Sequence, residues 1–130
     1  MMKITSKNLK TVRKKLVTMA CKIAHLRDGK CCRFRCGRNS LKYDAHHLKP
    51  RSRGWRYGAN PYNIVVLCSA CHMRLHEDPI WAVEQLEKHC PDLTNYWRYK
   101  VYEPTRLTVT VAKEWAEALE KELAKYGDQT

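Results

Sequence analysis

Two pairs of histidines and a frame of cysteines are the residues of this chain best suited to chemistry. His46 and His47 are adjacent in the run Asp44-Ala45-His46-His47-Leu48-Lys49-Pro50, and His72 and His76 follow in Cys68-Ser69-Ala70-Cys71-His72-Met73-Arg74-Leu75-His76. Neutral imidazoles and thiolates are the groups that hold zinc and similar divalent ions. Cys68 and Cys71 have knuckle spacing: the two residues between them let both sulfurs turn to one ion. The other half of that site must come from Cys31, Cys32 and Cys36. Arg33 stands where the usual two-residue spacing would need a cysteine, and we pair Cys32 with Cys36 in preference to Cys31. Cys21 and Cys90 have no partner at ligand spacing, and Cys21 reads as core.

Four thiolates close one tetrahedral site and leave the histidines for a second. His72 and His76 are four apart, which puts both on one face of a helix. His46 and His47 are adjacent on an expected strand, so their side chains point to opposite sides. One of the two joins His72 and His76. The other is left beside the site, where a proton acceptor that titrates near neutrality would be useful. The rival arrangement is one structural ion held by Cys68, Cys71 and either His72 or His76. It leaves His46, His47 and the upstream cysteines unused.

The elements that must position these residues follow from periodicity. Leu9, Val12, Leu16, Met19, Ala20 and Ile23 recur at three- and four-residue steps, which predicts a helix over 8–27 stopped by Gly29. Its other face carries Lys10, Arg13, Lys14 and Lys22. A cysteine-containing turn over 30–38 leads to a strand over 41–47. A loop over 49–62 leads to a short buried strand over 64–67, Ile-Val-Val-Leu. Ser69 is expected to cap a helix running to His76, and Asp78-Pro79 to open another running to Lys88 with Ile80, Val83 and Leu86 inward. Residues 91–107 are ambiguous. A last helix over 110–126 turns Val111, Trp115, Ala116, Leu119 and Leu123 to one side, with Gly127 as its stop. Trp81, Trp97 and Trp115 read as core.

The chain has 130 residues and a net charge of +12. Residues 1–38 hold 12 Lys and Arg against Asp28 alone, residues 39–76 hold 6 against Asp44 alone, and residues 77–130 hold 7 against 11 acidic groups. Positive charge gathered on and before the ligand region favours a polyanion, because each phosphate contact releases counterions. The loop interleaves Arg51, Arg53 and Arg56 with Trp55 and Tyr57, a composition suited to gripping phosphates. No apolar run approaches the roughly 20 residues that span a bilayer, and the N-terminus lacks a secretory apolar stretch. A reducing, cytoplasmic setting is therefore expected, in which clustered cysteines bind metal.

Residues 45–52, Ala-His-His-Leu-Lys-Pro-Arg-Ser, followed by Asn63-Ile64-Val65-Val66-Leu67-Cys68 and the knuckle through His76, resemble an HNH endonuclease with an embedded zinc knuckle. The resemblance covers residues 30–78. It implies an α+β fold: a ββα-metal core with a four-cysteine zinc site, flanked here by N- and C-terminal helices. The expected organisation is one domain over 1–130, made of a basic helix at 1–29, the core at 30–78 and a helical extension at 79–130. The resemblance implies His47 as general base, His46 and His72 as ligands of a single catalytic ion, and Asn63 as the brace of the loop. His76 matches a third ligand that only some relatives use. Cys32, Cys36, Cys68 and Cys71 would hold structural zinc. Manganese or magnesium would serve at the catalytic site, with nickel or zinc as alternatives. Lys49, Arg51, Arg53 and Arg56 would contact DNA. The implied reaction is metal-dependent hydrolysis, nicking double-stranded DNA to leave 5′-phosphate and 3′-hydroxyl ends. Small proteins of this kind resemble those of bacteriophages, which would place the chain in a bacterial host's cytoplasm near packaging or recombination proteins. A noncatalytic zinc module that binds nucleic acid is the alternative.

Overall fold

A computed structural model of the chain describes residues 2–29, 32–98, 102–103 and 105–127, with side chains through Tyr96 in the second of these segments. The elements in order are α1 (Leu9–Asp28), β1 (Tyr43–His47), a short helix α2 (Trp55–Gly58) between two single 3-10 turns (Arg51–Arg53 and Pro61–Asn63), β2 (Ile64–Cys68), α3 (Ser69–Glu77), α4 (Pro79–His89), α5 (Pro91–Arg98) and α6 (Val109–Ala124).

β1 and β2 form an antiparallel pair in which Ala45 faces Val66, His46 faces Val65 and His47 faces Ile64. Alternation along β2 sends Ile64 and Val66 against Ala20 and Ala24 of α1, and Val65 and Leu67 into a second cluster with Cys32, Phe34, Cys68, Cys71, Cys90 and Leu93. Every residue of β2 is buried, so its run of apolar residues is that of a strand between two layers. A third cluster joins α1 to α6 through Val12, Leu16, Ala112, Ala116 and Leu119, with Trp55 inserted beneath. The alanines of α1 and α6 keep the helix faces close to what they cover.

The outer edge of β2 is closed by residues from the end of α1. Asp28 accepts from the Val66 amide at 3.1 Å, Arg27 donates to the carbonyls of Ile64 at 2.6 Å and Pro61 at 2.8 Å, and the Arg33 amide donates to the Val66 carbonyl at 2.9 Å. Unpaired strand edges invite intermolecular pairing, and these contacts use up the edge groups around Val66. Asp28 also pairs with Arg27 at 2.7 Å and Arg33 at 2.8 Å, its side chain only 1% exposed. Burial alone would raise this carboxyl; the two guanidiniums outweigh it and hold its pKa below the ordinary value. Asp28→Asn is therefore expected to cost about 3–5 kcal/mol near neutral pH, the usual cost of breaking a buried pair. The carboxylate's contribution is fully present above the unfolded pKa of about 3.9 and is lost as pH falls through the lower folded value. Urea unfolding near pH 7 and near pH 3 checks this. The gap between variant and parent should narrow at low pH; an equal gap at both would mean that charge is not its source.

Several expectations change in detail. The first strand starts at Tyr43 rather than residue 41, and Leu41 stands fully exposed ahead of it. The loop over 49–62 holds three short turns of helix. The cap of α3 is Cys68, whose sulfur accepts from the Cys71 amide, and Ser69 is already helical. Asp78 caps α4 as expected, but Ile80 and Val83 are 76% and 53% exposed. The helix is phased instead by Trp81, which sets its ring edge-on to Phe34 at 5.5 Å and carries Arg74 on its face at 4.1 Å. The ambiguous stretch contributes α5, anchored by the buried Leu93. Trp115 packs edge-on to Trp55 at 4.8 Å and donates to the Ala59 carbonyl. The side chain of Trp97, and Cys31, lie outside the described residues. No helix among the described residues is long and apolar enough to cross a membrane.

Candidate metal centre and active site

The turn after α1 brings Cys32 and Cys36 to the junction of β2 and α3, where Cys68 ends the strand and Cys71 lies one turn into the helix. The four sulfurs lie within 4.8 Å of one another, with Cys36 and Cys68 3.6 Å apart. Zinc–thiolate bonds of about 2.3 Å at tetrahedral angles separate sulfurs by about 3.8 Å, so the donor set and its spacing fit a structural ion. Arg35 at φ 52° and Gly37 at φ 74° supply the left-handed backbone that folds this turn back. Burial and the neighbouring cysteines push the Cys71 thiol up. A cation among the sulfurs would reverse that balance, since it stabilises the thiolate form.

A second group lies on the α3 face of the sheet. Donor atoms of His46, His72 and His76 fall within 4.8 Å of one another, and the Nε2 atoms of His72 and His76 are 3.2 Å apart. Bonds of about 2.1 Å from one ion place imidazole nitrogens at about this separation. Burial, then the like-charged neighbours His72 and His76, lowers the His46 pKa to about 4. The ring is therefore neutral near pH 7 and able to donate a lone pair to a metal.

Asp44 is a residue that sequence reasoning did not single out. It lies two before His46 on β1 and so projects from the same face, and its Oδ2 is 3.1 Å from Nδ1 of His72. Nδ1–H donating to that carboxylate leaves Nε2 of His72 turned toward the other two imidazoles. The i, i+2 spacing on a strand was the available signal; the partner in α3 was not. A carboxylate behind a ligating histidine fixes its tautomer and orientation, and losing it typically costs 10–100-fold in metal affinity. Asp44→Asn is expected to weaken manganese binding at the imidazole group by roughly that 10–100-fold factor, read by isothermal titration, with the cysteine site unaffected. Binding equal to the parent's would mean that Asp44 does not set the ligand.

His47 takes the other face of β1, and its Nε2 lies 3.0 Å from the carbonyl of Gly58. That carbonyl accepts, so the proton sits on Nε2 and the lone pair on Nδ1. Burial, followed by the positive charge of Arg51, lowers the His47 pKa despite the Gly58 contact. Asn63 is fully buried at the base of the loop. Its side chain accepts from the Lys49 amide at 2.9 Å and donates to the carbonyls of Lys49 at 2.9 Å and Tyr57 at 2.8 Å. These three bonds close the segment 49–57 on itself and set Gly58 beneath His47.

The four cationic residues expected at the loop are placed unequally. Arg51 and Arg53 are exposed. Lys49 is half-buried, its Nζ 6.0 Å from the Tyr57 ring. Arg56 turns back between aromatic rings, 5.7 Å from Trp55 and 5.5 Å from Tyr102.

No curated protein and no solved structure matches the chain. All four clustered cysteines, the three grouped imidazoles, Asp44, His47 and Asn63 fall between residues 32 and 78, and that segment is similar to HNH endonucleases, whose family model it matches.

Proposed function

We propose that this chain is a metal-dependent DNA endonuclease that nicks double-stranded DNA, with His47 as its general base and with residues 1–130 acting as one domain. The observation that carries the reading is the division of labour at the dyad: His46 joins His72 and His76, while His47 faces away and hangs from the Gly58 carbonyl. A site that only stored an ion would have no use for the second histidine.

His46, His72 and His76 would hold the catalytic ion, with manganese or magnesium the first candidates and nickel or zinc the next. Such an ion supplies positive charge to the phosphate and its leaving oxygen. Everything else falls to the protein. His47 takes the proton of the attacking water at Nδ1, because Nε2 is committed to Gly58. Asn63 keeps that carbonyl in place through the loop it braces. Lys49, Arg51 and Arg53 are suited to the phosphates on either side of the scissile bond, and Arg56 supports the loop through its rings. Cys32, Cys36, Cys68 and Cys71 would hold structural zinc and fix the start of α3, and with it the azimuth of His72. The cuts would leave 5′-phosphate and 3′-hydroxyl ends.

The test is supercoiled plasmid incubated with the purified chain and manganese, magnesium, nickel, zinc or EDTA. Conversion to open circles that depends on added metal is expected. Failure with every metal, with tight salt-sensitive DNA binding retained, would reduce the chain to a binding module.

A further inference from the structure

A recess of about 560 Å³ lies between α1 and the segment 51–58. Lys10, Arg13 and Lys14 from α1 and Arg51 from the loop form its rim, and Trp55 and Gly58 lie among its lining residues. No acidic side chain lines it among the described residues. Its volume falls within the range of roughly 300–1,000 Å³ that takes small organic groups, so it is more than a charged stripe on a helix. α1 lies outside the segment 32–78, so most of this rim is not supplied by the HNH-like segment.

The recess adjoins the site through one residue. Gly58, whose carbonyl meets His47 at 3.0 Å, also lines the recess. A Cβ there would stand 3.1 Å from Cγ2 of Val17 and 3.3 Å from Cγ of Arg51, so the absence of a side chain lets α1 and Arg51 pack closely against the backbone that carries His47's partner carbonyl. Arg51 belongs to both places: it lines the recess, and its charge acts on His47.

We propose that this recess binds the sugar-phosphate backbone of the DNA strand that runs to His47, with the α1 cations on successive phosphates and the apolar lining under a sugar. The proposal rests on the nuclease reading only for its choice of ligand. A diffuse positive field is the competing account. It would depend on the number of charges and not on where they stand or whether the recess is open.

The experiment is fluorescence anisotropy of a labelled DNA duplex with the full chain, in a salt series without added divalent metal. Arg13→Ala with Lys14→Ala removes two rim charges; Lys15→Ala with Lys22→Ala removes two exposed charges of the same helix that do not line the recess. The first pair is expected to weaken binding at least about tenfold and to flatten the salt slope by about two, since each lost phosphate contact removes about 0.9. The second pair should change affinity by less than about threefold, because charges off the track contribute only through the general field. Thr18→Trp keeps every charge but fills the recess, and it should weaken binding as well. Equal effects from the two pairs, or parental binding by Thr18→Trp, would overturn the proposal. The plasmid assay judges the nuclease reading separately: a chain that cuts, with rim variants that bind like the parent, fails the recess alone. A chain that cuts nothing, with the rim effects intact, keeps the recess and loses the enzyme.

Discussion

His47→Ala is expected to remove strand cleavage while leaving the ion sites and DNA binding in place. A positioned proton acceptor contributes about 10²–10⁴-fold to a rate, and the variant should fall by that order with saturating manganese. The expectation follows from the two faces of β1. His47 lies opposite His46, 3.0 Å from a main-chain carbonyl, and does not belong to the group formed with His72 and His76. Its removal should therefore leave that group's donor set whole. Plasmid nicking and elemental analysis on the same preparation check both halves. Loss of the exchangeable ion together with activity would mean that His46 and His47 have been given each other's roles. Parental cleavage would place the base elsewhere.

The second large effect concerns the fold. Cys68→Ser is expected to abolish cooperative folding of the β2–α3 region, where Cys36→Ser only weakens it. Cys68 is 1% exposed, ends β2, caps α3 by accepting from the Cys71 amide and sits 3.6 Å from the sulfur of Cys36. Cys36 lies nearer the surface and belongs to the turn. Structural zinc contributes about 10–16 kcal/mol in small metal-folded peptides at neutral pH. A domain of this size has only about 5–15 kcal/mol of net stability. Loss of a zinc ion held by these four sulfurs should therefore exceed what the remaining core can supply. Loss of near-ultraviolet dichroism and of bound zinc in Cys68→Ser, and the same change in the parent after strong chelation, are the expected results. A melting curve within about 1 kcal/mol of the parent's would mean that the apolar neighbours Val65, Leu67 and Leu93 hold this corner without metal, as ordinary core residues can.

The sequence revealed the residues that depend on short spacings. The Cys68–Cys71 knuckle, the helical step from His72 to His76 and the strand alternation of His46 and His47 are local facts of geometry, and each was legible. The stripe of α1 was legible for the same reason. What escaped was set across the fold. Asp44 matters because α3 brings His72 to its carboxylate, 28 positions away in the chain. On α4, Trp81 goes inward as expected and meets Phe34 edge-on, but Ile80 and Val83, expected inward beside it, face water. Arg56 looked like its neighbours Arg51 and Arg53 until Tyr102 supplied a ring for it to lie against. Cys68 read as a ligand but not as a cap, because serine at 69 offered the more familiar capping side chain.

The bonds that Arg27 and Asp28 make to Pro61, Ile64 and Val66 bear on modularity. Both residues lie upstream of the segment 32–78 that matches the HNH model. The motif therefore does not carry its own outer wall. An excised 32–78 would keep every clustered ligand yet leave the carbonyl of Ile64 and the amide of Val66 without their partners, and the Arg33 guanidinium without Asp28. Grafted into another protein, or compared with relatives by motif alone, this nuclease-like core would look portable. Its true boundary lies at least as far back as residue 27, and a host would have to supply a carboxylate and a guanidinium in the same two places before the transplanted histidines could be held where they stand here.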